Sequence, residues 1–205
     1  MFRYSNNERK ENKMDKMIVM MLAAFMAVHP LCADQFEEMY QAAEQGDAWA
    51  QNNIGICYYN GESVETDKVE AVKWFYLSAE QGNAQAQYNL AYCYENGEGV
   101  EENKAAAVAW LWKAAEQGHA MAQNDLGYCY NYGIGVSPNA AEAVMWYRKS
   151  ASQGNAIAQH NLGNHYYEGV GVEKDYEKAM KWYRRAAENG HAGAQAFLEG
   201  HDIKW

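Results

Sequence analysis

Apolar and polar residues between positions 83 and 118 alternate with two successive helical periods. Ala86, Leu90 and Tyr94 recur four residues apart, and Ala107, Trp110, Leu111, Ala114 and Ala115 form a second stripe. The pattern predicts a first helix over about 84–96 and a second over about 104–117. Asn83 and Asn103 precede the two stripes, where a short polar side chain can accept a hydrogen bond from an orphan backbone N–H. Gly97 and Gly99 end the first helix, since a left-handed residue there strongly favours glycine. Val100 is expected to tuck the loop inward, and Gly118 closes the second helix.

The same grammar returns every 36 residues. Gly46, Gly82, Gly118, Gly154 and Gly190 keep that spacing, as do Trp74, Trp110, Trp146 and Trp182, and Tyr58, Tyr94, Tyr130 and Tyr166. A fixed period of this length indicates stacked supersecondary units that bury their apolar faces against one another. Full units run over 47–82, 83–118, 119–154 and 155–190. Residues 35–45 read as a lone second helix before them, and residues 192–199 as a lone first helix after them. The expectation is nine helices in antiparallel pairs and no sheet. Second-helix caps fall at Asp67, Asn103, Asn139 and Asp175, and Glu70 and Glu142 stand at capping-box spacing from Asp67 and Asn139. The first unit has Ser63 where the others carry Gly99, Gly135 and Gly171, so its loop is expected to be looser. Small residues at fixed sites, such as Ala50, Gly55 and Ala79, let the paired helices approach closely.

The N-terminus follows a different pattern. Arg3, Arg9, Lys10, Lys13 and Lys16 precede an unbroken apolar run from Met17 to Val28, followed by His29, Pro30, Leu31, Cys32, Ala33 and Asp34. A basic stretch, a short apolar run and a terminal small residue describe a secretory signal peptide over 1–33, cleaved between Ala33 and Asp34. The run is shorter than the ~20 residues a membrane span takes. Met14 or Met17 is an alternative start. The chain after Ala33 would carry 12 basic against 24 acidic residues, and the whole chain has a net charge of −10. Such an acidic balance argues against nucleic-acid binding, which relies on clustered Lys and Arg. The destination expected is the periplasm or the cell exterior. Cys57, Cys93 and Cys129 share one register of successive units, where helix packing keeps residues ~8–10 Å apart. That is too far for a disulfide. They are therefore expected to be buried thiols.

The motif Ala158-Gln159-His160-Asn161-Leu162-Gly163, continuing to Trp182-Tyr183 and Ala186-Ala187, resembles the Sel1-like repeat family, relatives of the tetratricopeptide repeat. The resemblance spans roughly 42–198 and holds in four registers. It implies an all-α, right-handed α-solenoid of stacked antiparallel helix pairs. It also implies a non-enzymatic scaffold or adaptor that binds proteins or peptides, with no cofactor and no particular partner.

By analogy with the tetratricopeptide groove, a ligand would meet first-helix positions outside the packing stripe. These are Trp49, Asn52, Ile56, Tyr59 and Asn60 in the first unit, and Gln85, Tyr88, Tyr92, Glu95 and Asn96 in the second. The third contributes Met121, Asn124, Tyr128, Asn131 and Tyr132, and the fourth Ile157, His160, Asn164, Tyr167 and Glu168. Tyrosine offers large contact area and a hydroxyl at modest entropy cost, and asparagine can both donate to and accept from an extended backbone. With no Lys or Arg in this set, it suits neutral or basic extended segments, or polar glycan-like ligands, rather than acidic tails. Asn53, Asn89, Asp125 and Asn161 recur at one register and read as structural hydrogen bonders.

Catalytic patterns are sparse. The alternative reading, a secreted hydrolase of β-lactam or cell-wall type, lacks the Ser-x-x-Lys motif, and no His-Glu-x-x-His, Gly-x-Ser-x-Gly or phosphate-binding glycine loop occurs. His160 and His165 stand roughly 140° apart around a helix and do not share a face for a metal. His119 and His191 fall at helix caps.

Overall fold

A computed structural model describes residues 33–205, with side chains from Gln35 onward. The expected signal segment and Cys32 lie, apart from Ala33, outside the described residues. The described residues form ten helices and no strand: α1 (Ala33–Glu44), α2 (Ala48–Asn60), α3 (Lys68–Glu80), α4 (Ala84–Asn96), α5 (Lys104–Glu116), α6 (Ala120–Tyr132), α7 (Ala140–Ser152), α8 (Ala156–Glu168), α9 (Tyr176–Glu188) and α10 (Ala192–Glu199). That is one helix more than the nine expected, because four pairs plus a lone helix at each end come to ten. Each helix packs on the next in the chain, which makes the molecule an all-α solenoid.

The caps explain why the helices start and stop where they do. Asp67, Asn83, Asn103, Asn139 and Asp175 each hold extended backbone and accept from an N–H in the first turn. His119 and His191 cap α6 and α10 through Nδ1, accepting from Ala122 and Ala194. The capping boxes at Glu70 and Glu142 do not close. The backbone N–H groups they would satisfy donate instead to Tyr58 and Tyr130 carbonyls, at 2.9 and 2.8 Å. Glu70 pairs with Lys73.

Two steric requirements set the pair geometry. A Cβ at Gly55 would stand 2.6 Å from the Phe75 ring, and one at Gly127 or Gly163 would stand 2.8 Å from Tyr147 or Tyr183. The second unit carries Ala91 against the slimmer Leu111, so small and large residues change together. The second requirement lies in the loops. Gly99, Gly135 and Gly171 have positive φ, and a Cβ there would collide with the carbonyl of Lys68, Lys104 or Ala140. Each loop thus seats on the start of the preceding unit's second helix. Ser63 adopts the same left-handed angle, φ 66°, in the first unit.

Glutamines tie unit to unit. Gln51, Gln87, Gln123, Gln159 and Gln195 each donate to an alanine carbonyl eight residues earlier, on the preceding helix. The first four accept in turn from Gln81, Gln117, Gln153 and Asn189, at 2.7–2.9 Å. Buried amides satisfied in this way lock the register of the stack, since leaving one unpaired costs ~1–3 kcal/mol. Between them, Leu90, Leu126 and Leu162 are fully buried with Trp74, Trp110 and Trp146. Cys57, Cys93 and Cys129 are unpaired and buried, and burial pushes the first two thiols up to about 11 and about 12.

Candidate functional site

Successive first helices, α2, α4, α6 and α8, meet along one face, and the variable residues gather there. A polar ladder runs across it. Asn89 donates to Asn52 at 3.0 Å, and Asn161 donates to Asn124 at 3.3 Å. In the middle junction Tyr88 replaces asparagine and hydrogen-bonds the buried Asp125, which also accepts from Asn124. Burial raises the Asp125 carboxyl to about 6, although both hydrogen bonds favour its charged form. Burial and then Asp125 hold the Tyr88 hydroxyl well above its ordinary range. Asn52, Tyr88 and Asn124 are only 5%, 7% and 8% exposed. Their side chains join neighbouring helices rather than face a ligand. Asn53 bonds back to the Trp49 carbonyl.

The other candidates remain accessible. Trp49 and Tyr132 are 68% and 53% exposed, and Asn96 is exposed. Ile56, Tyr59, Tyr92, Tyr128, His160, Asn164 and Tyr167 are half-buried. They do not form one uniform surface. Tyr59 donates to Glu98, meets Tyr92 edge-on at 6.4 Å between ring centres, and lies under the Lys68 ammonium at 4.9 Å. Lys68 also pairs with Glu98 at 2.8 Å. Tyr167 packs edge-on against Tyr176 and Phe197 near the C-terminal end. His160 stacks on His191 at 4.3 Å, and burial, with help from His191, lowers its pKa to about 4. His119 stacks on Tyr88 at 4.8 Å and is lowered by burial. Its Nδ1 accepts at the cap, so its Nε2 carries the proton toward Gln85 Oε1, at 3.1 Å.

Between α6 and α8 the face opens into a cavity of about 170 Å³, lined by Tyr128, Asn131, Tyr132, Tyr147, Asn161, Asn164, His165, Glu168 and Val170. The Tyr128 and Tyr132 rings lie 4.5 Å apart, tilted by 47°. His165 is buried and its Nδ1 bonds the Val170 carbonyl at 2.7 Å. Burial raises the Tyr128 and Tyr147 hydroxyls, and Glu95 and Asp125 respectively add to the effect. Tyr128, Asn131, Tyr132, Asn164 and Glu168 were expected on this face. Tyr147, Asn161, His165 and Val170 join them from registers that the sequence pattern does not mark as ligand-facing. The available sign was the second-helix and loop registers: Lys68 and Lys104 give way to Ala140, and Glu62 and Glu98 to Ile134 and Val170.

Among the described residues, no three His, Cys, Asp or Glu side chains gather where a metal could be held. No helix among them is long and apolar enough to cross a membrane. Cys57 and Cys93 are held protonated by burial, and the imidazoles of His119 and His191 are occupied as caps.

The Sel1 repeat model matches residues 50–83, 84–119, 120–155 and 156–191. No curated protein matches the chain. Among solved structures, the chain is similar to a protective antigen of uropathogenic Escherichia coli strains displaying an SLR fold. Identity is 41% and the TM-score 0.77, covering 80% of this chain and 35% of that one. It is also similar to a Sel1 repeat protein from Oxalobacter formigenes, at 36% identity and TM-score 0.76, covering 82% and 49%. An immunity protein from Pseudomonas aeruginosa aligns at 26% identity and TM-score 0.53 over 87% of this chain and 67% of its own. The chain thus spans about a third of the first relative and about half of the second. Sel1 repeat proteins are generally protein-interaction scaffolds and typically carry no catalysis. With four matched repeats on a continuous helical stack, this chain belongs to the Sel1 repeat family.

Proposed function

We propose that the chain is a non-enzymatic scaffold in the bacterial envelope or outside the cell, which holds a protein or extended peptide on its Tyr/Asn-rich first-helix face. The observation that carries this reading is the contrast along that face between locked and accessible positions. Asn52, Tyr88 and Asn124 are buried in the inter-helix ladder, whereas Tyr128, Tyr132, Asn131 and Asn164 surround an open cavity. A rigid frame that presents exposed tyrosines costs little entropy on binding, because tyrosine has few rotatable bonds and the backbone is already ordered. The concave curvature of related solenoids favours an extended ligand running across several helices. Export is supported by the basic stretch and the apolar run Met17–Val28.

The test is chemical crosslinking in the native envelope fraction with two baits. One is the unaltered chain; the other carries Tyr128→Ala, Tyr132→Ala and Asn164→Ala, with its helicity checked first. A protein held by the first and released by the second is expected. Equal retention by both would move the binding face to the second helices or the ends of the stack.

A further inference from the structure

The junction of the first two repeats shows what chemistry this face can hold. There the chain supplies its own cation: Lys68 Nζ lies 4.9 Å from the centre of the Tyr59 ring and 2.8 Å from Glu98. Aromatic face and carboxylate together hold an ammonium, the usual arrangement for a cation–π pair with a counter-charge. At the junction of the third and fourth repeats the corresponding positions are Ala140, Asn131 and Val170. The internal lysine is gone, and the cavity of about 170 Å³ lies there.

The cavity keeps the recognition elements in a different arrangement. Tyr128 and Tyr132 provide two close aromatic rings, Glu168 a carboxylate at the rim, and Asn131, Asn161 and Asn164 side-chain amides, the last of which accepts from the Tyr183 hydroxyl at 2.7 Å. No lysine or arginine lines it. Glu168 is the one carboxylate in its lining. At about 170 Å³ it is smaller than the ~300–1,000 Å³ typical of pockets for drug-sized ligands.

We infer that this cavity is a socket for one Lys or Arg side chain of an extended, basic partner segment, standing where Lys68 stands in the first junction. The inference rests on the scaffold reading and narrows it to a class of partner. The cationic head would lie against Tyr132 and Tyr128 and pair with Glu168, while the aliphatic stem would run along Val170. A neutral side chain gains none of the charge terms, and an acidic one meets repulsion from Glu168.

The experiment is a selection of random linear dodecapeptides displayed on yeast against the immobilised full chain. Synthetic peptides are then compared with versions in which the recurrent residue is replaced by norleucine. The expected outcome is a Lys or Arg recurring at one position of the selected peptides. Norleucine in its place should weaken binding at least tenfold, and binding should fall as salt rises. The same tenfold loss is expected for Glu168→Gln combined with Tyr132→Ala; both residues are exposed, so the variant should keep its helicity and melting midpoint. Selected peptides without a basic anchor would overturn the socket. So would binding that the double variant leaves unchanged. Either result leaves the scaffold reading standing if the peptides still compete with the crosslinked partner. A selection that yields no binders overturns both.

Discussion

The first and third inter-repeat junctions share a backbone and differ in what fills it. In both, a left-handed glycine, Gly99 or Gly171, seats the loop on the start of the preceding unit's second helix. In both, an asparagine pair bridges the first helices, Asn89 to Asn52 and Asn161 to Asn124. The first junction is closed by Tyr59, Glu98 and Lys68, which satisfy one another. The third has Asn131, Val170 and Ala140 at those positions, and a cavity. These three positions are among those that differ between a joint filled by its own side chains and one that holds a cavity. The repeat frame and the proposed binding chemistry rest on different residues, so each can be tested against the other.

The largest expected effects test the shared frame. Trp110→Ala and Trp146→Ala remove equivalent buried rings and should each cost about 3–5 kcal/mol in urea unfolding. Losses that differ by more than about 2 kcal/mol would mean that the second and third repeats do not rest on equivalent cores.

The middle junction sharpens the comparison, because there the ladder carries a carboxylate. Asp125→Asn restores the amide found at the other registers and removes a buried charge. The folded-state pKa is raised from 3.8 to about 6, so the folded protein binds the extra proton across that window. Stability is therefore lost as pH rises through it. The variant should be more stable than the unaltered chain by roughly 1–3 kcal/mol at pH 7 and no more stable below about pH 4. A gain that does not vary with pH would place its origin elsewhere. His160 tests the opposite sign. Its pKa falls from 6.5 to about 4, so the unfolded chain takes the proton first and stability is lost as pH falls across that window. His160→Asn, the residue type at Asn52 and Asn124, should reduce that acid-side loss by roughly 1–3 kcal/mol, read from unfolding midpoints at pH 7 and pH 4.

The smallest effects concern the first junction and its loop. Lys68→Ala should cost under about 1 kcal/mol, since the pair with Glu98 is partly exposed. Ser63→Gly should stabilise by about 1 kcal/mol, because the left-handed angle is costly for a residue with a Cβ. A destabilised Ser63→Gly would show that the serine side chain holds the loop.

The helices, caps and loop glycines were legible because they recur. Gly97 and Trp110 are read four times over and Gly118 five times, and each has a local physical role. The accessible tyrosines were also legible as positions that vary. What did not show was which of them are consumed by the fold. Asn52, Tyr88 and Asn124 look like surface residues on a helical wheel, and they are buried because a neighbouring helix covers them. The capping boxes failed for a similar reason: the N–H of Asp67 and of Asn139 is taken by a carbonyl of the preceding helix. The glutamine chain from Gln51 to Gln195 lies in the quoted motif, yet its role appears only when donors 30 residues away come within 3 Å. Contacts between units depend on the rise and twist of the stack, which no single repeat encodes in its own spacing.

The most direct test of the account rebuilds the first junction inside the third. Asn131→Tyr, Ala140→Lys and Val170→Glu together place the Tyr59, Lys68 and Glu98 chemistry where the cavity now lies. Equilibrium binding of the partner captured by the unaltered chain should then weaken at least tenfold, with helicity and unfolding midpoint unchanged. Equal affinity in a variant that folds as well as the original would contradict the claim that this junction is where the solenoid binds.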